Sequence, residues 1–193
     1  MNSAQLEDIF HQVNRQFGQK GIFRPVRLTF SSKKFFEEFK KQVQIDRWGE
    51  VAFAVERKNG KFIVIRAASY PDGIYRIPTG GIQFGEQVSH ALFREIQEEL
   101  GLKVELVQFL GAVGYDICYE KERLPYISFV FHLKETGGTI LKDATQHEIC
   151  EYLEADKKAL TDICRRMEEH CASWQDWCSF RRQTTSFLLP FLD

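Results

Sequence analysis

The sequence predicts an α/β fold, and three observations carry that prediction. Apolar residues recur at helical spacing towards both ends of the 193-residue chain. Strand-like runs occupy its middle, and between two of them a glycine-rich loop opens onto an amphipathic helix. The length suits one domain with additions and is enough to bury a core unaided.

In the first segment Leu6, Ile9, Phe10, Val13 and Phe17 share one side of a helix that Gly18 and Gly21 bring to an end. "RPVRLTF" fits a short strand, after which Ser31 or Ser32 can cap a second helix whose apolar side holds Phe35, Phe36, Phe39 and Val43. From Glu50 the period changes. "EVAFAVERK" and "KFIVIRAA" alternate like strands and meet across Asn59 and Gly60, a pair suited to the positive φ of a hairpin turn.

After Pro71, Asp72 and Gly73, "YRIPTGGIQFGE" reads as a glycine-rich loop and "QVSHALFREIQEEL" as a helix that Gly101 terminates. "KVELVQFLGAVGYDI" and "PYISFVFHLKE" are longer strands around a polar loop, and "HEICEYLEA" is one more short strand. The rest is helical, from about Ala155 to Glu169 and from Ser173 to about Leu189. There "SWQD" has the form of a capping box, and Trp174, Trp177, Phe180 and Leu188 are expected to be buried.

Apolar content of 44% and charged content of 27% match soluble domains and exclude disordered, collagenous and membrane-protein compositions. A net charge of -1 gives no general attraction to nucleic acid or anionic lipid, so a polyanionic ligand has to be held by a local site. "MNSAQLEDIF" has no basic segment followed by an apolar run, which gives the expectation of a cytoplasmic protein with no membrane partner. The five cysteines are odd in number and lack a C-x-x-C pair, so buried free thiols are expected.

The chemistry points to "FREIQEELGL". On a helix, Glu98 lies about 60° to one side of Glu95 and Glu99 about 40° to the other, so the three acids share an edge. Leu92, Ile96 and Leu100 flank that edge on the Glu99 side, and His90, Arg94 and Gln97 form the wetter flank. Like charges at these spacings, near a helix C-terminus, destabilise the helix by a few tenths of a kcal/mol each. A hard divalent cation would offset this, and an all-oxygen donor set suits magnesium or manganese rather than zinc. Taken alone, the acids read more simply as a solvated face.

The upstream loop changes that balance. Gly80, Gly81 and Gly85 let the backbone approach a ligand and turn a carbonyl inward, and Glu86 is expected at the positive end of the helix. Together the stretch resembles the Nudix hydrolase signature, G-x5-E-x7-R-E-U-x-E-E-x-G-U with U aliphatic. Gly80, Glu86, Arg94, Glu95, Ile96, Glu98, Glu99, Gly101 and Leu102 fill every specified position. One departure is present: the family usually reads Pro-Gly-Gly ahead of the box, and here the run is Pro78, Thr79, Gly80.

The resemblance spans roughly residues 48 to 154. It implies an α/β/α sandwich around a mixed sheet, with residues 1–46 as an N-terminal helical annex, 47–154 as the core and 155–193 as helices packed on it. It also implies metal-assisted hydrolysis, with Mg2+ or Mn2+, of the diphosphate bond in a nucleoside diphosphate linked to another group. Candidates are a nucleotide sugar, a dinucleoside polyphosphate or a nucleoside triphosphate. Glu98, Glu99 and the Gly80 carbonyl would bind metal, Glu95 would be a further ligand or the base, and Arg94 would orient the glutamates.

Glu86 would be structural or a ligand for an additional metal, and Glu148 and Glu120 are alternative bases. Arg66 and Arg76 are candidate phosphate contacts. Tyr119, 17 residues beyond Leu102, resembles the tyrosine placement of dinucleoside polyphosphate hydrolases. His90 and His132 are given no role, and Trp174 and Trp177 are read as core or homodimer contacts. Two rivals stand beside hydrolysis of a small molecule: a nucleotide-sensing or interaction module without turnover, and RNA end processing, which the modest charge does not favour.

Overall fold

The computed structural model describes residues 3–18, 21–141, 149–169 and 174–192. Its elements run α1 (Ser3–Gln16), β1 (Ile22–Thr29), α2 (Lys33–Ile45), β2 (Arg47–Glu56), β3 (Phe62–Ala67), β4 (Thr79–Gln83) and α3 (Val88–Glu99). They continue with β5 (Leu102–Tyr119), β6 (Glu122–Gly138), β7 (Ile149–Ala155), α4 (Lys157–Glu169) and α5 (Gln175–Leu188), closed by a short 3-10 turn at Leu189–Phe191.

One mixed sheet in the order β1-β5-β6-β2-β3-β7 organises the chain, with β4 paired to β2 off that path. Strand alternation puts successive side chains on opposite faces, and here both faces are apolar. Val51, Phe53 and Val55 of β2, with Ile63 and Ile65 of β3, pack towards Leu6, Phe10, Leu92 and Ile96 of α1 and α3. Ala52, Ala54, Phe62 and Val64 face the other way, towards Phe36, Leu160 and Phe180 of α2, α4 and α5. The result is the implied α/β/α sandwich. Each large side chain sealed in either layer contributes roughly 1.5–3 kcal/mol, so the layers, more than helix propensity, hold the helices in place.

The segment ahead of residue 47 is tied into the same sheet. β1 runs parallel to β5, from Ile22 opposite Gly111 to Thr29 opposite Cys118. Ser32 caps α2 as the sequence suggests, its hydroxyl accepting from Phe35 N at 3.2 Å.

Three expectations are corrected. The turn across Asn59 and Gly60 forms, with Gly60 at φ 78°, but the two strands pair only at Glu56 and Phe62 before β3 leaves to pair with β7. β2 lies instead between β6, parallel, and β4, antiparallel. The glycine-rich loop contains strand β4, because Gly80 and Gly81 pair with Val51 and Glu50 although they carry no side chain to show alternation. Of the cysteines, Cys118, Cys150 and Cys164 are free, and among these Cys164 alone is buried. Cys178 is disulfide-bonded, since an odd count rules out a full framework but not a single bond. Cys171 lies outside the described residues.

The expected capping box at "SWQD" takes another form. α5 starts after Trp174, which makes no side-chain cap, and Ser173 lies outside the described residues. Asp176 turns away from its own helix and accepts from Ser31 N at 2.9 Å and Ser32 N at 2.7 Å. A carboxylate from α5 thus satisfies free amides at the start of α2, where the helix dipole also favours negative charge.

Candidate active site

β4, the turn after it and α3 build the site. Glu86 N donates to Gln83 O at 3.0 Å, and Gly85 holds φ 80° within that turn, a conformation costly for any residue with a Cβ. α3 then begins at Val88, so Glu86 stands just ahead of the helix and not in its first turn as expected. At the other end Gly101, at φ 66°, donates to Gln97 O at 3.1 Å in a left-handed cap. Leu92, Ile96 and Leu100 are sealed against the sheet, which fixes the rotation of the helix and hence of its acidic edge.

Arg94 uses all five of its N–H groups. Nε and Nη2 grip both oxygens of Glu86 at 2.8 Å, Nη2 also reaches Gly81 O at 2.9 Å, and Nη1 spans Glu95 at 2.8 Å and Glu98 at 3.0 Å. This one guanidinium answers much of the repulsion among the acids. It also holds the Glu86 carboxyl below the usual carboxylate range, while Glu86 in turn raises Arg94.

Glu99 is held differently. The residue is 6% exposed, its Oε2 is buried without a hydrogen-bond partner among the described residues, and burial pushes its carboxyl up to about 8. Gly80 lies under Glu95: a Cβ there would fall 2.0 Å from Glu95 Cγ. Only glycine leaves room for that carboxylate.

These groups line a cavity of about 350 Å3. Its walls bring four arginines, Arg47, Arg76, Arg94 and Arg181, against four carboxylates, Asp46, Glu95, Glu98 and Glu99. Among the described residues no aromatic or aliphatic side chain lines it. The far wall is assembled from distant segments. Arg181 of α5 donates to Glu50 Oε2 at 2.7 Å and to Thr79 Oγ1 at 3.0 Å. Arg76 reaches the same Thr79 oxygen at 2.9 Å. Glu50 is 2% exposed and accepts from Ser128 Oγ at 2.7 Å. Burial is the largest influence and opposes the charge on Arg181, but Glu50, Tyr70 and Tyr126 together outweigh it and the guanidinium is raised.

Of the residues singled out from sequence, Gly80, Arg94, Glu95, Glu98, Glu99 and Arg76 meet at this cavity, with Glu86 behind Arg94. Others go elsewhere. Arg66 pairs with Glu151 at 3.1 Å along β3 and β7, Tyr119 stacks on Phe36 with centroids 5.5 Å apart, and Glu120 occupies the tip of the β5–β6 hairpin at φ 51°. None of these three lines the cavity. Glu148 lies outside the described residues. Trp177 packs on Tyr70, with centroids 4.4 Å apart. Sequence reasoning missed Glu50, Arg181 and the part played by Thr79. The one visible signal was Thr79 standing where the family pattern has glycine.

The oxygen donors suit a hard divalent cation. The fit is supported by the orphaned Oε2 of Glu99 and by the Gly80 cradle, which keeps Glu95 beside the β4 backbone. In the arrangement observed the carboxylates are not yet converged: Glu95 and Glu98 turn to Arg94. Among the described residues no three His, Cys, Asp or Glu side chains close on one point.

A helix sealed by its apolar flank, an acidic edge at a polar cavity and an α/β/α sandwich define a class of protein already suggested by the box. The sequence profile of the NUDIX domain matches residues 46–180, and the chain belongs to that family. Among its relatives, an RNA pyrophosphohydrolase of Campylobacter jejuni is 31% identical over 117 residues, covering 56% of this chain and 74% of that protein. A MutT-like protein of Streptomyces ambofaciens is 26% identical over 119 residues, covering 62% and 68%. A solved structure of the E. coli dihydroneopterin triphosphate pyrophosphohydrolase has a TM-score of 0.47 at 16% identity, covering 76% of this chain and 98% of that one. The matched segment reaches beyond residue 154 into α5, whereas the box resemblance ended before the terminal helices. No helix among the described residues is long and apolar enough to cross a membrane.

Proposed function

We propose that this Nudix hydrolase cleaves, with Mg2+ or Mn2+, the diphosphate bond of a nucleoside diphosphate joined to another group. The observation that carries the reading is the acidic edge of α3. Glu95, Glu98 and Glu99 face one cavity beside Gly80, and Glu99 presents a buried oxygen that no hydrogen bond among the described residues satisfies. Glu98, Glu99 and the Gly80 carbonyl would hold the cation, with Glu95 as further ligand or base. The bound cation supplies charge neutralisation at the phosphoryl oxygens and a more acidic water.

The protein's own groups do the rest. Arg94 keeps three carboxylates at fixed separations, and Glu86, with both oxygens committed to Arg94, acts by positioning that arginine. Arg76 offers a guanidinium to the phosphates. Water is the only co-reactant: one P–O–P bond breaks, a P–O bond forms to the water oxygen, and the water proton passes to a carboxylate and then to solvent. The name of one relative, RNA pyrophosphohydrolase, agrees with cleavage of a pyrophosphate bond.

A screen of nucleotide sugars, dinucleoside polyphosphates, dinucleotide cofactors and nucleoside triphosphates with magnesium, read by released phosphate or monophosphate, tests this. At least one class should turn over, and Glu98→Gln or Glu99→Gln should lower that turnover by about a hundredfold or more while the fold persists. Silence across the screen, or unchanged turnover in both variants, would remove the proposal.

A further inference from the structure

The proposed cleavage at the α3 edge uses Arg76 as a phosphate contact but gives Arg181, at the same cavity, no role. Thr79 and Arg181 are 102 residues apart in the chain, yet both guanidiniums donate to Thr79 Oγ1, which places two like charges against one hydroxyl. Such a pair repels unless something negative lies near it. Glu50 is paired with Arg181 through Oε2 and is itself fixed by Ser128, and Glu99 lies near enough to feel the charge of both guanidiniums. The hydrogen bonds of Arg76 go to uncharged oxygens: Tyr70 Oη, Ile77 O and Thr79 Oγ1. Arg181 Nε is buried and has no hydrogen-bond partner among the described residues.

Both arginines share the cavity with the α3 carboxylates. A planar guanidinium fork matches phosphate oxygens two at a time. The walls, by contrast, give a nucleobase no aromatic or aliphatic side chain among the described residues to pack on.

We propose that Arg76 and Arg181 form a fixed seat for phosphate, so that the protein selects substrates by an oligophosphate chain and not by the base at its end. The chain must carry at least one phosphate beyond the pair whose bond is cut. This rests on the reading of α3 as the cleavage edge and names the substrate class that edge acts on. Arg76 and Arg181 touch the substrate. Glu50 and Thr79 are positioning residues: Glu50 orients Arg181, and the Thr79 hydroxyl sets the separation of the two guanidiniums. Thr79 is thus the family departure that makes the seat, because a glycine there would leave the arginines no common acceptor.

The test pairs binding with kinetics. Inorganic tripolyphosphate is titrated by calorimetry, without divalent cation, into the natural protein and into Arg181→Gln, Arg181→Lys and Thr79→Val. Nucleoside triphosphates with each common base, and a nucleotide sugar, are then assayed with magnesium. Arg181→Gln should weaken tripolyphosphate binding about tenfold or more and raise KM for triphosphates by a similar factor, with kcat moving less. Arg181→Lys should recover part of the loss. Changing the base should alter kcat/KM by no more than about threefold.

Should Arg181→Gln fail to fold, Thr79→Val keeps the test alive, since it preserves shape and removes the shared acceptor. Unchanged tripolyphosphate affinity in the folded variants, or a base preference above about tenfold, overturns the seat. Turnover that ignores Arg181 sinks the seat alone. Arg181-dependent binding of tripolyphosphate with no turnover of any substrate upholds the seat and sinks the hydrolytic reading.

Discussion

The two walls of the cavity hold similar charges by different means. On the α3 wall, Arg94 gathers Glu86, Glu95 and Glu98, all within eight residues of it along the chain, and Glu98 remains 44% exposed. On the opposite wall, Glu50 and Arg181 are 131 residues apart and meet at 2% and 16% exposure. The first wall is a local cluster whose outer member, Glu98, meets water, so the Arg94–Glu98 pair is screened and individually weak, while Glu86 and Glu95 are 15% and 9% exposed. The second is enclosed, so either charge left alone there is costly. Chemistry that needs carboxylates able to move sits on the open wall, and fixed positive charge sits on the closed one.

Stability measurements should separate the walls first. In urea unfolding, Glu50→Ala is expected to lose about 3–5 kcal/mol, because it strands Arg181 in the interior. Glu98→Ala should stay within about 1 kcal/mol of the natural protein. Equal losses would mean that the walls do not differ as described. Next in size is Arg94→Ala, which frees the three carboxylates it now spaces. Manganese affinity, followed by calorimetry, should fall about 10- to 100-fold, with little change in the unfolding midpoint. A variant that binds manganese as well as before would show that the glutamates need no such spacer.

The smallest effect is a pair of opposite pH slopes in the metal-free protein. Glu86 is held by Arg94 below the ordinary glutamate value of 4.5, so its contribution is present above pH 4.5 and fades as pH falls through its lower folded value. Glu99 is raised from 4.5 to about 8 by burial, so its contribution is present below pH 4.5 and is lost as pH rises towards 8. Thermal unfolding in chelator should therefore show Glu86→Gln flattening the acid limb and Glu99→Gln flattening the decline between 4.5 and 8. Matching slopes in the two variants would mean that the Arg94 contact and burial do not set these two carboxylates apart as described.

The same contrast explains how much was legible in the sequence. Helical spacing placed Glu95, Glu98 and Glu99 on one edge and Leu92, Ile96 and Leu100 against the core, because these relations are local and periodic. Glu50 and Arg181 gave no such signal. Each is an ordinary charged residue within its own segment, and their meeting depends on β2 pairing with β4 and β6 and on where α5 lands. β4 was hidden for a related reason, since its glycines carry no alternation, and β1 was legible as a strand but not as a parallel neighbour of β5. Tyr119 marks the opposite case: a spacing along the chain suggested substrate contact, while in the structure the residue stacks on Phe36 and does not line the cavity.

The carboxylate of Asp176 binds the start of α2 little more than one helical turn before Arg181 leaves the same helix for the cavity. The serines it grips are therefore part of the lever that sets how far that arginine reaches. A replacement at Ser31 or Ser32 that crowds those amides would pivot α5, and the change would surface as altered substrate preference at a place the replaced side chain never touches.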